Sequence, residues 1–133
     1  MSETPEYQSA EDEDAAMAQA LFDAAREGDN PVLRSYLDAG APAGLCNPAG
    51  DSLLMLAAYH GHPETVQLLL HHGADASAPN SRGQTPLAGA VFKGYTEVAR
   101  VLLDAGADPD AGSPTAREAA RMFARADILQ LLG

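Results

Sequence analysis

Gly28, Gly61 and Gly94 fall 33 residues apart, and Gly40, Gly73 and Gly106 keep the same step. Gly50 and Gly83 repeat it again. A chain that returns to the same turn residue at a fixed period is built from one repeated supersecondary unit. The apolar pattern between the glycines repeats too: Thr65-Val66-Gln67-Leu68-Leu69-Leu70 aligns with Val98-Ala99-Arg100-Val101-Leu102-Leu103. Each unit therefore reads as helix, tight turn, helix, glycine stop and loop. Gly73 and Gly106 follow apolar helical runs, where a left-handed residue closes the last turn. Asn30-Pro31, His62-Pro63 and Tyr95-Thr96 mark the starts of second helices, and Pro suits a first turn. Helices of about two turns are marginal alone. Stacked neighbours must supply the stability, which is the physics of a solenoid.

Length and charge bound the rest. A chain of 133 residues is a prior of one domain. Eight Lys+Arg against 19 Asp+Glu give a formal charge of -11. That balance lacks the clustered cations that nucleic acid or an anionic membrane surface requires. The lone Cys46 excludes an intrachain disulfide framework. No run approaches the length of a membrane span, and the acidic Met-Ser-Glu-Thr-Pro-Glu start is no secretory signal. These features predict a soluble protein of a reducing compartment, the cytoplasm. Residues 1–14 hold six acids and no base, so more than half of the -11 lies there. Residues 1–10 read as a disordered acidic tail, because they cannot bury enough apolar surface. Residues 11–133 then form a single repeat domain. Ser9 is a weak capping-box start, with the acids at 11–14 in the first helical turn.

Gly83-Gln84-Thr85-Pro86-Leu87, Gly94, Glu97-Val98, Val101-Leu102-Leu103 and Gly106-Ala107-Asp108 resemble an ankyrin repeat. Gly50-Asp51-Ser52-Leu53-Leu54, Ala57-Ala58, Gly61-His62, Glu64, Leu68-Leu69-Leu70 and Gly73-Ala74-Asp75 resemble a second one. The resemblance covers about residues 16–133 in four units, roughly 16–46, 47–79, 80–112 and 113–133. It implies an all-α solenoid. The core expected from it comprises Leu21, Ala24, Ala25, Leu33, Leu54, Ala57, Ala58, Val66, Leu69, Leu87, Ala90, Ala99, Leu102 and Leu132.

Departures are confined to particular places. The first unit has Gln19 where the motif's Thr falls and Gly40-Ala41-Pro42 for Gly-Ala-Asp. Met55 and Ala88 stand where the family carries a histidine that links neighbouring turns. The fourth unit aligns only after its loop is shortened by three, and Arg117 then occupies an inward Leu position. It reads as a cap with a polar outer face. Arg117, Arg121 and Arg125 fall at i, i+4 and i+8, a helical stripe that would repel itself without answering acids. Contact between the acidic tail and this stripe predicts weak, salt-sensitive self-association of an otherwise monomeric chain.

No pattern for catalysis is present: no G-x-S-x-G, H-E-x-x-H or phosphate loop. Ser52 and Thr85 sit at the motif's helix-starting position, where a hydroxyl caps a helix. His60 and His62 lie at an interhelical turn, while His71 and His72 end the following helix about 12 Å away. Four metal ligands do not converge, so neither a metal nor a cofactor is expected.

In ankyrin proteins partners dock on loop tips and on the exposed faces of the first helices. The resemblance carries this to Asp51, Ser81, Arg82 and Gln84 in the loops. On the helices it points to the pairs Tyr59-His60 and Phe92-Lys93, and to Met122 and Phe123. Tyr59, Phe92 and one of Met122 or Phe123 would form an apolar ridge across successive units, and exposed aromatic patches mark partner sites. The competing reading packs Phe92 or Phe123 against the neighbouring unit. The function implied is non-catalytic binding of a partner protein through the concave face. A dedicated accessory or regulatory subunit of one enzyme is the alternative, ahead of an enzyme or small-ligand binder. A single Lys amid abundant Ala and Arg suggests a high-GC bacterial source.

Overall fold

The computed structural model describes the backbone of residues 6–133 and side chains from Asp14 onward. Residues 1–5 of the expected acidic tail lie outside the described residues. The chain folds into the helices α1 (Glu6–Glu27), α2 (Asn30–Asp38), α3 (Leu53–Tyr59), α4 (Pro63–His71), α5 (Pro86–Lys93), α6 (Thr96–Asp104), α7 (Ala116–Met122) and α8 (Ala126–Leu132). Each odd helix packs on the even helix that follows it across a short turn. Helices α1, α3, α5 and α7 stack in one row, and α2, α4, α6 and α8 in a second. The result is an all-helical two-layer solenoid. Among the described residues the one extended pairing is an isolated bridge between Cys46 and Ser52.

Helix α1 starts at Glu6, ahead of the start expected near residue 11. Glu6–Glu27 contains no Gly or Pro and is rich in Ala and Glu. Those residues extend a helix where no stop signal opposes it. The acids at 11–14 therefore lie inside α1 rather than in its first turn. Because α1 runs unbroken through Gln19, no helix starts there and no capping hydroxyl is needed.

The other first-layer helices start on capped ends. Ser52 Oγ accepts from the Met55 N–H at 3.0 Å, and Thr85 Oγ1 from the Ala88 N–H at 3.1 Å. Thr115 and Glu118 form a reciprocal capping box at 3.0 and 2.8 Å. In the second layer Pro31 and Pro63 stand in the first turn. All fourteen expected core residues are buried, none more than 7% exposed. Paired alanines such as Ala24-Ala25, Ala57-Ala58 and Ala119-Ala120 let the thin first-layer helices approach closely.

The glycine ladder has a second cause besides turn geometry. Gly28, Gly61 and Gly94 hold φ at 74°, 79° and 79°, the left-handed region. A Cβ on Gly28 would lie 2.7 Å from His62 Nδ1, and one on Gly61 3.0 Å from the Tyr95 ring. On Gly94 it would lie 3.0 Å from the Arg125 guanidinium carbon. The residue opening each second helix thus packs on the turn of the unit before it. His62 Nε2 also donates to the Arg26 carbonyl at 2.7 Å. Arg125 donates to the carbonyls of Val91 and Phe92 at 3.3 and 2.8 Å, closing the end of α5. In the fourth unit Ala124 takes the turn with φ of 54°.

The arginine stripe is not formed. Helix α7 ends at Met122, and Arg125 caps α8 from another direction. Arg117 is partly exposed and locally paired. Its Nε donates to Asp110 Oδ1 at 3.0 Å and its Nη1 to the Gly133 carbonyl at 2.7 Å, which ties α7 to the end of α8. Arg117 and Arg125 are thus engaged locally, and of the three arginines Arg121 alone has neither an acid nor a carbonyl partner among the described residues.

Candidate protein-docking face

Helices α3, α5 and α7 of the first layer pack side by side, and three aromatic residues stand at their C-terminal ends. Tyr59 closes α3, Phe92 lies in the last turn of α5, and Phe123 follows α7. The Tyr59 and Phe92 rings stack at 6.4 Å between centroids and 9° between planes. Phe92 and Phe123 meet edge to face at 4.8 Å and 82°. Both are arrangements that aromatic quadrupoles favour. The ladder crosses three units, yet Phe92 remains 43% and Phe123 41% exposed. Ring-to-ring packing between units and an exposed ridge therefore coexist; the two are not alternatives.

Cations and a histidine flank the ladder. Lys93 Nζ sits 5.1 Å from the Tyr59 ring centroid, a cation–π contact. The His60 ring meets Tyr59 edge-on at 6.0 Å. Partial burial, then His62, Arg26 and Lys93 nearby, push the His60 imidazole below its ordinary pKa. A hollow of about 190 Å3 lies beside the rings, walled by Tyr59, Phe92 and Phe123 and floored by Ala88, Gly89 and Ala119. Arg82, Gln84 and Pro114 form its rim. Gly89 is a helical glycine whose Cβ would lie 3.2 Å from Met55 Cε and 3.3 Å from the Tyr59 ring. Its missing side chain leaves room for Tyr59 to lean over α5.

The remaining expected site residues lie at the margin of this hollow or away from it. Met122 is 67% exposed and lies on a neighbouring shallow surface with Pro114, Glu118 and Arg121. The fourth unit's ring in the ladder is Phe123. Ser81 is held by its backbone, whose N–H donates to the Ala49 carbonyl at 3.2 Å. Asp51 and Gln84 are drawn into a polar cluster around Asn80, which is only 7% exposed. Asn80 Nδ2 donates to Asp51 Oδ1 at 2.8 Å and to Gln84 Oε1 at 3.0 Å. Its Oδ1 accepts from the N–H groups of Arg82 at 2.9 Å and Gln84 at 3.0 Å. One amide thus shapes its own loop and joins it to the loop before. Asn80 was missed in reading the sequence, although Asn47 stands 33 residues earlier and holds its own loop in the same way.

Residues 21–113 match the family described as Ankyrin repeats (3 copies). The chain belongs to the ankyrin repeat family. The match runs from the last part of α1 through α6, and the fourth helix pair lies beyond it. An ankyrin repeat protein of Pseudomonas aeruginosa is 56% identical over 48 residues. That stretch is 36% of this chain and spans 28% of the length of the relative. Ankyrin repeats are in general protein–protein interaction modules. No helix among the described residues is long and apolar enough to cross a membrane.

Proposed function

We propose that the chain is a non-catalytic binding module that docks a partner protein on its concave face. The residues assigned to docking are Tyr59, His60, Arg82, Phe92, Lys93 and Phe123, with Asp51, Ser81, Gln84 and Met122 at the margins. One observation carries this reading: a three-ring ladder spans three units and stays about two-fifths exposed at Phe92 and Phe123. Large apolar side chains left in water side by side are the usual mark of a partner site. The hollow beside them, about 190 Å3, is smaller than the ~300–1,000 Å3 of small-molecule sites. It suits one inserted side chain better than a substrate or cofactor. A cytoplasmic bacterial setting accords with the composition and with the Pseudomonas relative.

Affinity capture from lysate of the source cell, with Tyr59→Ala/Phe92→Ala as control, tests the proposal. The intact protein should retain partners that the double variant loses, with little change in thermal midpoint. A midpoint loss above about 10 °C would assign the rings to the core instead. Retention of one enzyme alone would narrow the role to an accessory subunit.

A further inference from the structure

The chemistry of the partner follows from how this acidic chain distributes its few cations, given the docking face proposed above. Eight Lys+Arg are present. Arg26, Arg100 and Arg117 pair with Asp23, Glu97 and Asp110. Arg125 is taken up by the carbonyls of Val91 and Phe92. Among the described residues Arg34, Arg82, Lys93 and Arg121 have no acid within salt-bridge reach. Two of these four, Arg82 and Lys93, border the aromatic ladder, and a third lies on the surface next to it. Arg82 forms the rim of the hollow, Lys93 lies over Tyr59, and Arg121 stands beside Met122 and Pro114 on the adjoining surface. The carboxylates on the same side are occupied by the chain's own donors. Asp51 accepts from Asn80, and Glu118 accepts from the Thr115 N–H. In a chain of formal charge -11, the concave face therefore keeps its cations free and its acids engaged.

We infer that the occupant of this face is an acidic linear segment of a partner protein, with one large apolar side chain between its carboxylates. The apolar side chain enters the hollow between Tyr59, Phe92 and Phe123. Carboxylates on either side meet Arg82 at one edge and Lys93 or Arg121 at the other. The small floor of Ala88, Gly89 and Ala119 admits a single Leu- or Phe-sized group. Charge complementarity of this kind steers association and selects among partners. At exposed positions it weakens with salt.

The test uses the full chain and four fluorescein-labelled octapeptides, read by fluorescence anisotropy. Each peptide has a two-residue centre between two three-residue flanks. Three carry Ala-Phe between flanks of Glu, Lys or Ser, and the fourth carries Ala-Ala between Glu flanks. The Glu-flanked Ala-Phe peptide should bind about tenfold tighter than each of the others. That advantage should shrink as salt rises from about 25 to about 300 mM. Arg82→Glu/Lys93→Glu should transfer the preference to the Lys-flanked peptide, with an unchanged circular dichroism melt. If the Ser- or Lys-flanked peptide binds as well as the Glu-flanked one and Phe92→Ala weakens all of them, the docking face stands and the acidic partner is overturned. If no peptide binds, or Phe92→Ala leaves binding unchanged, both are overturned. Sedimentation of the chain alone should show a monomer. A dimer dissociated by Arg82→Glu/Lys93→Glu would make a second copy the occupant and refute the inference.

Discussion

Asn80→Ala separates what holds the loops from what is free to bind. The side chain makes four hydrogen bonds, two donated and two accepted, from a site only 7% exposed. Each intramolecular bond is worth about 1 kcal/mol net, which sets an upper figure near 4 kcal/mol. The loop lies at the surface, so water can reach the N–H groups of Arg82 and Gln84 once the amide is gone. A loss of about 2 kcal/mol remains, or about 7 °C in thermal midpoint for a chain of this size. Asp51→Ala alone should cost less than about 1 kcal/mol, because Asn80 keeps its other three partners. Adding Asp51→Ala to Asn80→Ala should change little further, since contacting residues are coupled and the shared bond is already lost. Asn80→Asp keeps the two accepted bonds but sets a carboxylate against that of Asp51. It should destabilise at neutral pH and recover as pH falls through the carboxylate range. Thermal and urea melts of these variants provide the readout. An Asn80→Ala change within about 0.5 kcal/mol of the parent, the range of ordinary surface substitutions, would refute the claim that this amide joins the two loops.

Other expectations rest on separate contacts. His72 Nδ1 lies 3.0 Å from the Leu68 carbonyl and Nε2 lies 3.1 Å from Asp38 Oδ1. Both partners are acceptors, so they favour the charged ring, which can donate from both nitrogens; the Leu68 carbonyl, then Asp38, raises its pKa above 6.5. A raised folded value means that the link between α2 and α4 stabilises fully below pH 6.5 and is lost as pH rises through the folded value. Asp38→Asn should therefore lower the midpoint at about pH 5.5 and not at about pH 8.5, and equal effects at both would contradict the reasoning. Ala124→Gly should stabilise by about 1 kcal/mol, because φ of 54° is costly for any residue with a Cβ; a loss in the thermal melt would count against the assigned strain. Leu69→Ala and Leu102→Ala, at positions 0% exposed, should each cost about 2–5 kcal/mol in urea denaturation. Neutral results at both would displace the whole repeat register.

The repeat was readable because one residue type answers several needs at once. Each turn glycine must adopt positive φ and must also leave space for His62, Tyr95 or Arg125 of the next unit, so its spacing reports the stacking directly. The capping hydroxyls of Ser52, Thr85 and Thr115 are local for the same reason. The early start of α1 was not readable, since helix propensity over Glu6–Asp14 is weak evidence against a polar, acid-rich composition. Neither were the partners of Arg117, Arg125 and Asn80, which depend on how neighbouring loops and helix ends meet in space. The choice between Met122 and Phe123 was hidden by the shortened fourth unit. Alignment puts Met122 opposite Phe92, but the end of α7 turns Phe123 onto the Phe92 ring.

Hydroxyl-radical footprinting of the chain alone and with a captured partner bears most directly on the docking face. Tyr59, Phe92, Met122 and Phe123 are readily oxidised side chains at the ends of first-layer helices, while Tyr36 lies in the second layer on α2 and Tyr95 opens α6 there. Protection of Tyr59, Phe92 and Phe123 in the complex, with Tyr36 and Tyr95 unchanged, is the predicted result. Protection of Tyr36 and Tyr95 while the ladder stays as reactive as in the free chain would contradict it.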